Sequence, residues 1–370
     1  MRHRVLPPLN YLHTNETGVK SRLVFKLVTM HDHGRGHRGE LSMLTVSRRG
    51  VAAVATAFAL VAAGLMSPPA RAQQKPVIKV SSLTLPVFNP LVWNIMKAKD
   101  FDAKNGFELD IHAYPSIAAF YAGFATGETD ALIGGPTVFQ KLYSEGVPVR
   151  IVGTGFTLAD LVIFAKDPTI KSLADLKGKQ LAIDMGGSQY QVVKIYTAAK
   201  GIDLGKDIVV VNANFAVARA QLEAGRVEAA LVIEPLASII TKAHSDWHVI
   251  FNGAQGWKEI AGTDGWEIVP AMRADSVAKN PQAPKMLIAA LQDVADYMQK
   301  NTADSDKIAN DTLKLPPGIF TAAVEGKRLQ MIVKPAWEPA TRKTITDMME
   351  RAVKAGFYPA MPDDKIIYAP

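Results

Sequence analysis

The sequence predicts an α/β protein built from two successive units, in which parallel strands alternate with helices. Three observations lead to this prediction. Short β-rich segments alternate with amphipathic helical segments from Val77 onward, and such alternation is typical of parallel sheets covered by helices. The same pattern restarts at Leu161. The 370-residue chain is also at the size at which one core gives way to two.

In the first unit, the hydrophobic periodicity predicts strands and helices in strict alternation. Glycines and an Asn-Gly pair provide the stop signals between them. The predicted elements are strand Val77–Ser81, helix Pro90–Lys104, strand Phe107–Ala113, helix Ile117–Thr126, strand Ala131–Ile133, helix Thr137–Glu145 and strand Val149–Gly153.

The second unit repeats this order, and a helical segment follows it. Its predicted elements are strand Leu161–Ala165, short helix Ser172–Leu176, strand Gln180–Asp184, a helix from Ser188 to Ala199, strand Ile208–Val211, helix Ala216–Ala224, strand Ala229–Ile233 and helix Leu236–Ala243. Strand Ile268–Met272 then returns toward the first unit. Helices are predicted over Leu287–Gln299, Ser305–Leu313, Val324–Val333 and Thr341–Ala355.

Residues 43–72 resemble an export leader. Basic residues precede the uncharged Gly50–Met66 run, and Ala70-Arg71-Ala72 supplies a small-x-small cleavage site. The run falls short of the ~20 residues of a membrane-spanning helix, so cleavage is favoured over an anchor. Ser47-Arg48-Arg49 resembles the start of a twin-arginine motif, but the residues after it favour the general secretory route. Residues 1–42 are either an upstream mis-start or a disordered extension.

Charge and composition exclude several classes of protein. The net charge of +7 comes from the first 72 residues, where Lys and Arg outnumber Asp and Glu by seven, so the remainder is neutral. No nucleic-acid partner is therefore predicted. The chain has no Cys, which excludes disulfides, thiolate metal sites and thiol nucleophiles. No cofactor or metal site is predicted.

Two segments, one in each unit, share a form. In Phe124–Ala131 and in Leu222–Ala229, a helix end is followed by Gly, a polar turn with an acidic residue, and a small residue that enters a buried strand. A left-handed helix cap followed by a short loop explains this pattern. Two such units suggest two lobes around a cleft.

Four motifs make the chain similar to a known family. They are Gly127-Glu-Thr-Asp-Ala131, Gly146-Val-Pro-Val149, Ser172-Leu-Ala-Asp-Leu-Lys-Gly-Lys179, and Ala220-Gln-Leu-Glu-Ala-Gly225 followed by Glu234-Pro235. Over about residues 76–360 the chain resembles the substrate-binding proteins of ABC importers in the nitrate/sulfonate/taurine and thiamine-pyrimidine-precursor superfamily. The resemblance implies a two-lobe periplasmic-binding fold of type II topology. Residues 76–163 plus 268–360 would form lobe I, and residues 164–267 lobe II.

Ligands of open α/β sheets bind where strands end and helices begin. The glycine turns Gly134-Gly135 and Gly186-Gly187-Ser188 allow close backbone approach, and a helix N-terminus attracts an anion. Tight structural turns are the alternative interpretation. The candidate ligand-binding residues are Ser81, Ser82, Leu83, Ser116, Gly134, Gly135, Thr137, Gly186, Gly187, Ser188, Gln189, Asn212, Asn214, Glu234 and Trp266.

Other polar residues carry weaker signals. His112, His244 and His248 lack the spacing of a metal site. Asp160 and Asp184 lie near strand ends, but nothing in the sequence fixes their separation, so acid–base catalysis is not predicted. Asp184 could instead cap the helix that follows it. Trp266 could be a lid over the ligand or an ordinary core residue.

These observations favour an exported, periplasmic solute receptor, not an enzyme. We expect a monomer that closes its lobes on a small organic or inorganic anion, such as a sulfonate, taurine or nitrate, and delivers it to the membrane subunits of an ABC permease. The alternatives are an enzyme on the same fold or a receptor for a thiamine-pyrimidine precursor. The aromatic side chains Phe88, Phe156, Tyr190 and Trp266 leave an organic ligand open.

Overall fold

The structure is a computed structural model that describes residues 75–370. The expected leader, its cleavage site after Ala72 and the upstream extension lie outside the described residues. The described part of the chain lies in one compact unit, Ala72–Pro370. None of its helices is both long enough and apolar enough to span a bilayer.

A first sheet has the strand order β2-β1-β3-β11-β4, with β5 paired to β11. Strands β1 and β2 are parallel, as are β1 and β3, whereas β11 runs antiparallel to β3, β4 and β5. The strand bounds are β1 Val77–Leu83, β2 Glu108–Tyr114, β3 Ala131–Gly134, β4 Val149–Ile151, β5 Phe156–Thr157 and β11 Trp266–Arg273.

A second sheet has the order β10-β6-β9-β7-β8. Strand β7 is parallel to β8 and β9, while β6 is antiparallel to both β9 and β10. The bounds are β6 Val162–Ala165, β7 Gln180–Ile183, β8 Val209–Asn212, β9 Ala229–Val232 and β10 His248–Asn252. Two sheets drawn from successive parts of the chain confirm the predicted α/β class.

Helices connect the strands and cover the sheets. Their bounds are α1 Phe88–Ala98, α2 Phe101–Lys104, α3 Ile117–Thr126, α4 Pro136–Ser144, α5 Ser188–Ala199, α6 Phe215–Glu223, α7 Leu236–Ala243, α8 Gly253–Ala261, α9 Ala274–Lys279, α10 Ala283–Lys300, α11 Thr302–Leu313, α12 Ile319–Glu325 and α13 Pro339–Lys354. Short 3₁₀ turns lie at Leu158–Asp160, Leu173–Leu176 and Asp364–Ile366.

Helix α3 shows how local sequence sets an element. The Ser116 side chain accepts a hydrogen bond from Ala119 N at 3.2 Å and caps the helix start. Gly127, at φ 84°, ends the helix in the left-handed conformation that glycine tolerates best. The predicted bounds Ile117–Thr126 are those observed.

The expectation of wholly parallel sheets is wrong at β6 and β11. These are the strands by which the chain passes from the first sheet to the second and returns. Parallel neighbouring strands require a crossover connection, usually a helix, within the same sheet. The chain enters β6 and β11 from the other sheet or from a turn, without such a crossover. Both therefore run against their neighbours.

Two predicted helices differ from those observed. Pro90–Lys104 is interrupted at Asp100, which has φ 54° and separates α1 from α2. The predicted helix Val324–Val333 is wrong, because α12 ends at Glu325 and Lys327 adopts φ 53°. The chain beyond is extended, and Ile332 N donates to Gly155 O at 2.9 Å beside the first sheet.

Strand β10 and helix α8 were not predicted. Their sequence places glycines at Gly253 and Gly256, and glycine is a poor helix former. Packing explains Gly256, because a Cβ there would lie 2.3 Å from the ring of Phe251. Tertiary contact thus overrides local propensity in this segment.

The passage between the sheets brings distant residues together. The 3₁₀ turn Leu158–Asp160 leads the chain out of the first sheet, and β11 returns beside it with Trp266 opposite Thr157. Asp160 and Glu267, far apart in sequence, therefore lie at neighbouring positions where the two sheets meet.

Candidate functional site

A cavity lies between the two sheets and is lined by residues of both. It encloses about 60 Å³, room for a few water molecules. The first-sheet side contributes Leu83, Leu85, Val87, Phe88, Asn89, Ile117, Phe120, Tyr121, Ile133, Gly134, Phe156, Asp160, Glu267 and Ile268. The second-sheet side contributes Ser188, Gln189, Phe215, Ile233 and Glu234. In this arrangement the cavity has room for only a few solute atoms.

Two buried carboxyl groups, Asp160 and Glu267, form an acid pair in the cavity wall. Both are almost fully buried. Burial raises the pKa of Asp160 well above its usual range, and the neighbouring Glu267 raises it further. Burial also raises the pKa of Glu267, while hydrogen bonds from Asp160 and Gln189 oppose that rise. Burial therefore favours the protonated form of both carboxyl groups over the form that an exposed carboxyl takes.

A third buried carboxylate, Glu234, is already neutralised. Arg328 Nε donates to Glu234 Oε1 at 2.5 Å, and Ser238 donates through its hydroxyl to Oε1 and through its backbone N–H to Oε2. Arg328 Nη2 also donates to Ser238 Oγ at 3.0 Å. Glu234 is thus paired with a cation, although its charge still helps to raise the pKa of Asp160. Asp160 and Glu267 have no cationic partner in the cavity lining, which residues 83–268 form.

Two amide side chains of the cavity lining are held by hydrogen bonds that they donate. Asn89 Nδ2 donates to Ile133 O at 2.9 Å, and Gln189 Nε2 donates to Glu267 Oε1. Because each donor bonds an atom that can only accept, the orientation of each amide is fixed. Asn89 Oδ1, Gln189 Oε1 and Asp160 Oδ1 are buried without a hydrogen-bond partner among residues 75–370.

Tyr121 supports the glycine turn that follows β3. Its hydroxyl accepts a hydrogen bond from Gly135 N at 2.8 Å, and burial raises the pKa of Tyr121 far above its usual value. The phenol is therefore neutral. A Cβ on Gly135 would lie 2.4 Å from Ser188 Cβ, so this glycine allows α4 and α5 to meet across the cavity.

The second glycine turn uses its first N–H groups locally. Met185 N donates to Asn212 Oδ1 at 3.1 Å, and Gly186 N donates to Asp184 Oδ1 at 2.9 Å. Gly187 is the N-cap residue of α5, and Ser188 Oγ donates to Glu267 O at 3.3 Å. The turn therefore reaches the cavity through Ser188, and the Asp184 carboxylate bonds the turn itself.

Of the sequence-predicted ligand residues, five border the cavity. They are Leu83, Gly134, Ser188, Gln189 and Glu234. The others lie outside its lining: Ser81, Ser82, Ser116, Gly135, Thr137, Gly186, Gly187, Asn212, Asn214 and Trp266.

Some of these outlying residues make contacts that explain their residue type. Ser81 Oγ bonds Thr129 Oγ1 at 2.7 Å, and Asn214 caps α6 by accepting from Val217 N at 3.0 Å. Trp266 is buried, and its indole N–H donates to Thr344 Oγ1 at 2.9 Å.

The three histidines considered in the sequence analysis make local contacts. His112 lies 3.1 Å from Asp110, and His248 Nε2 bonds Ile170 O at 2.7 Å. His244 stacks on Trp247 with ring centroids 4.3 Å apart. Across residues 75–370, no three His, Asp or Glu side chains are grouped as metal ligands would be.

Sequence reasoning missed Asn89, Tyr121 and Glu267. Asp160 was noted, but in a pair with Asp184; its partner is Glu267. One signal was present: Glu267 stands between Trp266 and Ile268 in a buried strand, and a buried carboxylate requires a partner or a function.

Comparisons with known proteins agree with this architecture. A protein of Brucella abortus (strain 2308) described as a binding protein is 24% identical over 284 residues, which cover 74% of this chain and 84% of that protein. The periplasmic aliphatic sulphonate binding protein from Escherichia coli superposes with a TM-score of 0.67 at 16% identity, covering 80% of this chain and 92% of that one. The periplasmic nitrate-binding protein from Synechocystis PCC 6803 gives 0.61 at 19% identity, covering 79% and 84%.

At these identities the solved structures establish the fold, which is that of periplasmic binding proteins. The family model described as NMT1/THI5 like matches residues 93–305, more than half of the chain. The resemblance inferred from the sequence motifs is thereby confirmed, and this chain belongs to the NMT1/THI5-like family.

Proposed function

We propose that this chain is the extracytoplasmic solute receptor of an ABC importer. The observation that carries the proposal is the cavity between two sheets, lined from both sides by apolar and hydrogen-bonding groups. The fold of periplasmic binding proteins, the relatives described as binding proteins and the leader-like residues 43–72 add support. The receptor would be periplasmic and monomeric, and would hand its solute to a membrane permease.

Closure would take place between two lobes, residues 76–163 plus 268–360 and residues 164–267. In this structure the cavity walls touch through Gly135 and Ser188. A ligand that contacts both walls stabilises the closed arrangement by its differential affinity for that state. X-ray scattering with and without ligand should therefore show compaction on binding, and an unchanged radius of gyration would contradict closure.

The observations that bear on the charge of the solute favour opposite signs. Sulfonate and nitrate are named for the neighbouring structures, and the first turn of α5 borders the cavity, which favours an anion. The acid pair opposes an anion, and the cavity lining formed by residues 83–268 includes no Lys, Arg or His. A screen must therefore include solutes of both signs.

A thermal-shift screen of protein starting at Gln73 tests the receptor function. Sulfonates, carboxylates, nitrate, pyrimidines and amines should be offered, since a ligand at 100 times its Kd stabilises the protein by ~2.7 kcal/mol. Ile117→Trp, which fills the cavity from its half-buried rim, should abolish any shift. Ala118→Trp on the exposed neighbouring position is the matched control. A shift that survives Ile117→Trp would place binding elsewhere.

The acid pair is also the one feature that favours an enzyme, because buried carboxyls with raised pKa values serve as acids and bases. Mass spectrometry of the solute recovered after prolonged incubation separates the two functions. A receptor returns the solute unchanged, whereas a product formed by the wild type and not by Ile117→Trp would favour catalysis.

A further inference from the structure

The unpartnered polar atoms of the cavity are all hydrogen-bond acceptors. Within the described chain, the buried lining side-chain atoms that lack a partner are Asn89 Oδ1, Asp160 Oδ1 and Gln189 Oε1. A buried acceptor left unpaired costs about 1–3 kcal/mol. Gln189 Oε1 lies against Gly187, where an added Cβ would be 2.2 Å from it. Asn89 Oδ1 and Asp160 Oδ1 are therefore the oxygens left for the donors of a bound solute.

The charged side chains that line the cavity are all carboxylates. After Arg328 has neutralised Glu234, the acid pair remains without a cationic partner in the cavity lining. A negative charge on either Asp160 or Glu267 lies in an apolar environment. Buried charges of this kind are normally compensated by an opposite charge.

An apolar groove continues the cavity outward. It has a volume of about 180 Å³ and shares Leu85, Val87, Phe215 and Ile233 with the cavity. Leu236 and Ile239 extend it, and among residues 75–370 its one polar lining residue is Asn214, a predicted ligand residue whose Oδ1 caps α6. A hydrocarbon body placed here would bury apolar surface, which stabilises by about 25 cal/mol per Å². The polar cavity therefore opens directly into the apolar groove.

We propose that the solute is a primary organic ammonium ion with an apolar body. Its N–H groups meet the acid pair and the amide oxygen of Asn89, and its hydrocarbon part lies in the groove. This inference rests on the proposed receptor function and names its substrate class. It replaces the anion expected from the sequence with a cation.

Matched solutes provide the test. Primary amines from propylamine to hexylamine, together with benzylamine and phenethylamine, are each paired with the alcohol and the sulfonate of the same carbon skeleton. Calorimetry at pH 7.5 should give at least one amine a Kd tenfold or more below those of its alcohol and sulfonate, with affinity rising with chain length. Binding of sulfonates or alcohols in preference to amines would overturn the substrate class while the receptor function stands. If none of these solutes binds, the ammonium class is overturned, and the broader thermal-shift screen decides the receptor function.

The direction of proton transfer gives an independent readout. The charged groups that act on Asp160 are Glu267 and Glu234, which is paired with Arg328, while the neutral Tyr121 lies near Glu267. An ammonium ion favours the ionised acid pair, so binding should release a proton. Its affinity should rise as pH increases through the raised pKa of the pair. Calorimetry in phosphate and in Tris measures this exchange, and proton uptake would contradict the proposal.

Substitution of the acid pair completes the test. Asp160→Asn and Glu267→Gln should each weaken amine binding at least tenfold and abolish proton release. Asp296→Asn, on the exposed face of α10, is the matched control and should bind as the wild type does. Circular dichroism establishes that each variant is folded. Retained amine affinity in both folded acid-pair variants would overturn the proposal.

Discussion

Replacing Gly135 by Ala should prevent the two walls of the cavity from meeting. Gly135 has φ −66° and ψ 129°, which alanine adopts without strain. The added Cβ would lie 2.4 Å from Ser188 Cβ and 2.6 Å from its Oγ, whereas carbon atoms in contact prefer about 3.5–4.0 Å. Relieving an overlap of this kind typically costs about 1–3 kcal/mol. Because that cost falls on the closed arrangement alone, solute affinity should drop about 5- to 140-fold.

Isothermal calorimetry with the solute found by screening measures this loss. Ser188→Gly removes the atoms that the new methyl group would strike, so it serves as the partner in a double-mutant cycle. The double variant should bind as Ser188→Gly alone does, which separates the steric effect from the loss of the hydroxyl. Wild-type affinity in Gly135→Ala, or a loss that Ser188→Gly does not reverse, would refute the reasoning.

Further predictions concern the leader, the acid pair and the buried tryptophan. N-terminal sequencing of the exported protein should begin at Gln73; a product that retains the apolar run would indicate an anchor instead. Asp160→Asn should stabilise the solute-free protein by about 1–3 kcal/mol at pH 8, since the amide replaces a carboxyl group whose ionised form is penalised by burial. The gain in thermal melts should shrink toward pH 4, because a raised folded pKa penalises the wild type only above the unfolded pKa; a gain independent of pH would contradict this. Thr344→Val should destabilise by about 0.5–1.5 kcal/mol through the lost bond to Trp266, with solute affinity unchanged; reduced affinity would indicate that the indole acts on the site.

Much of the fold followed from local signals. Glycine-terminated helices and alternating strands gave the element order, and Gly127 ended α3 where the sequence predicted. The failures share a cause, since they occur where tertiary contacts decide. Gly256 favours a turn locally but packs against Phe251 within a helix, and the segment after Lys327 extends because it bonds the edge of the first sheet.

The candidate site was predicted less completely than the fold. The rule that ligands bind at strand ends located Ser188, Gln189 and Gly134, which border the cavity. It also selected Asn212 and Asn214, whose side chains bond neighbouring backbone N–H groups. Polar residues at strand ends serve as caps as well as ligands, and a single sequence does not distinguish the two uses.

Local sequence patterns do not predict the acid pair, because its geometry depends on the two segments where the chain crosses between the sheets. Asp160 stands where the chain leaves the first sheet, and Glu267 stands where it returns; the register of Trp266 with Thr157 sets these positions side by side. Each of these crossing segments leads from one sheet to the other. A cation bound at the acid pair therefore interacts with both segments that join the proposed lobes. In the solute-free protein the pair is unfavourable, since burial raises both pKa values. A cationic solute would remove this penalty in the closed arrangement, so the same carboxyl groups that reduce stability would couple recognition to closure.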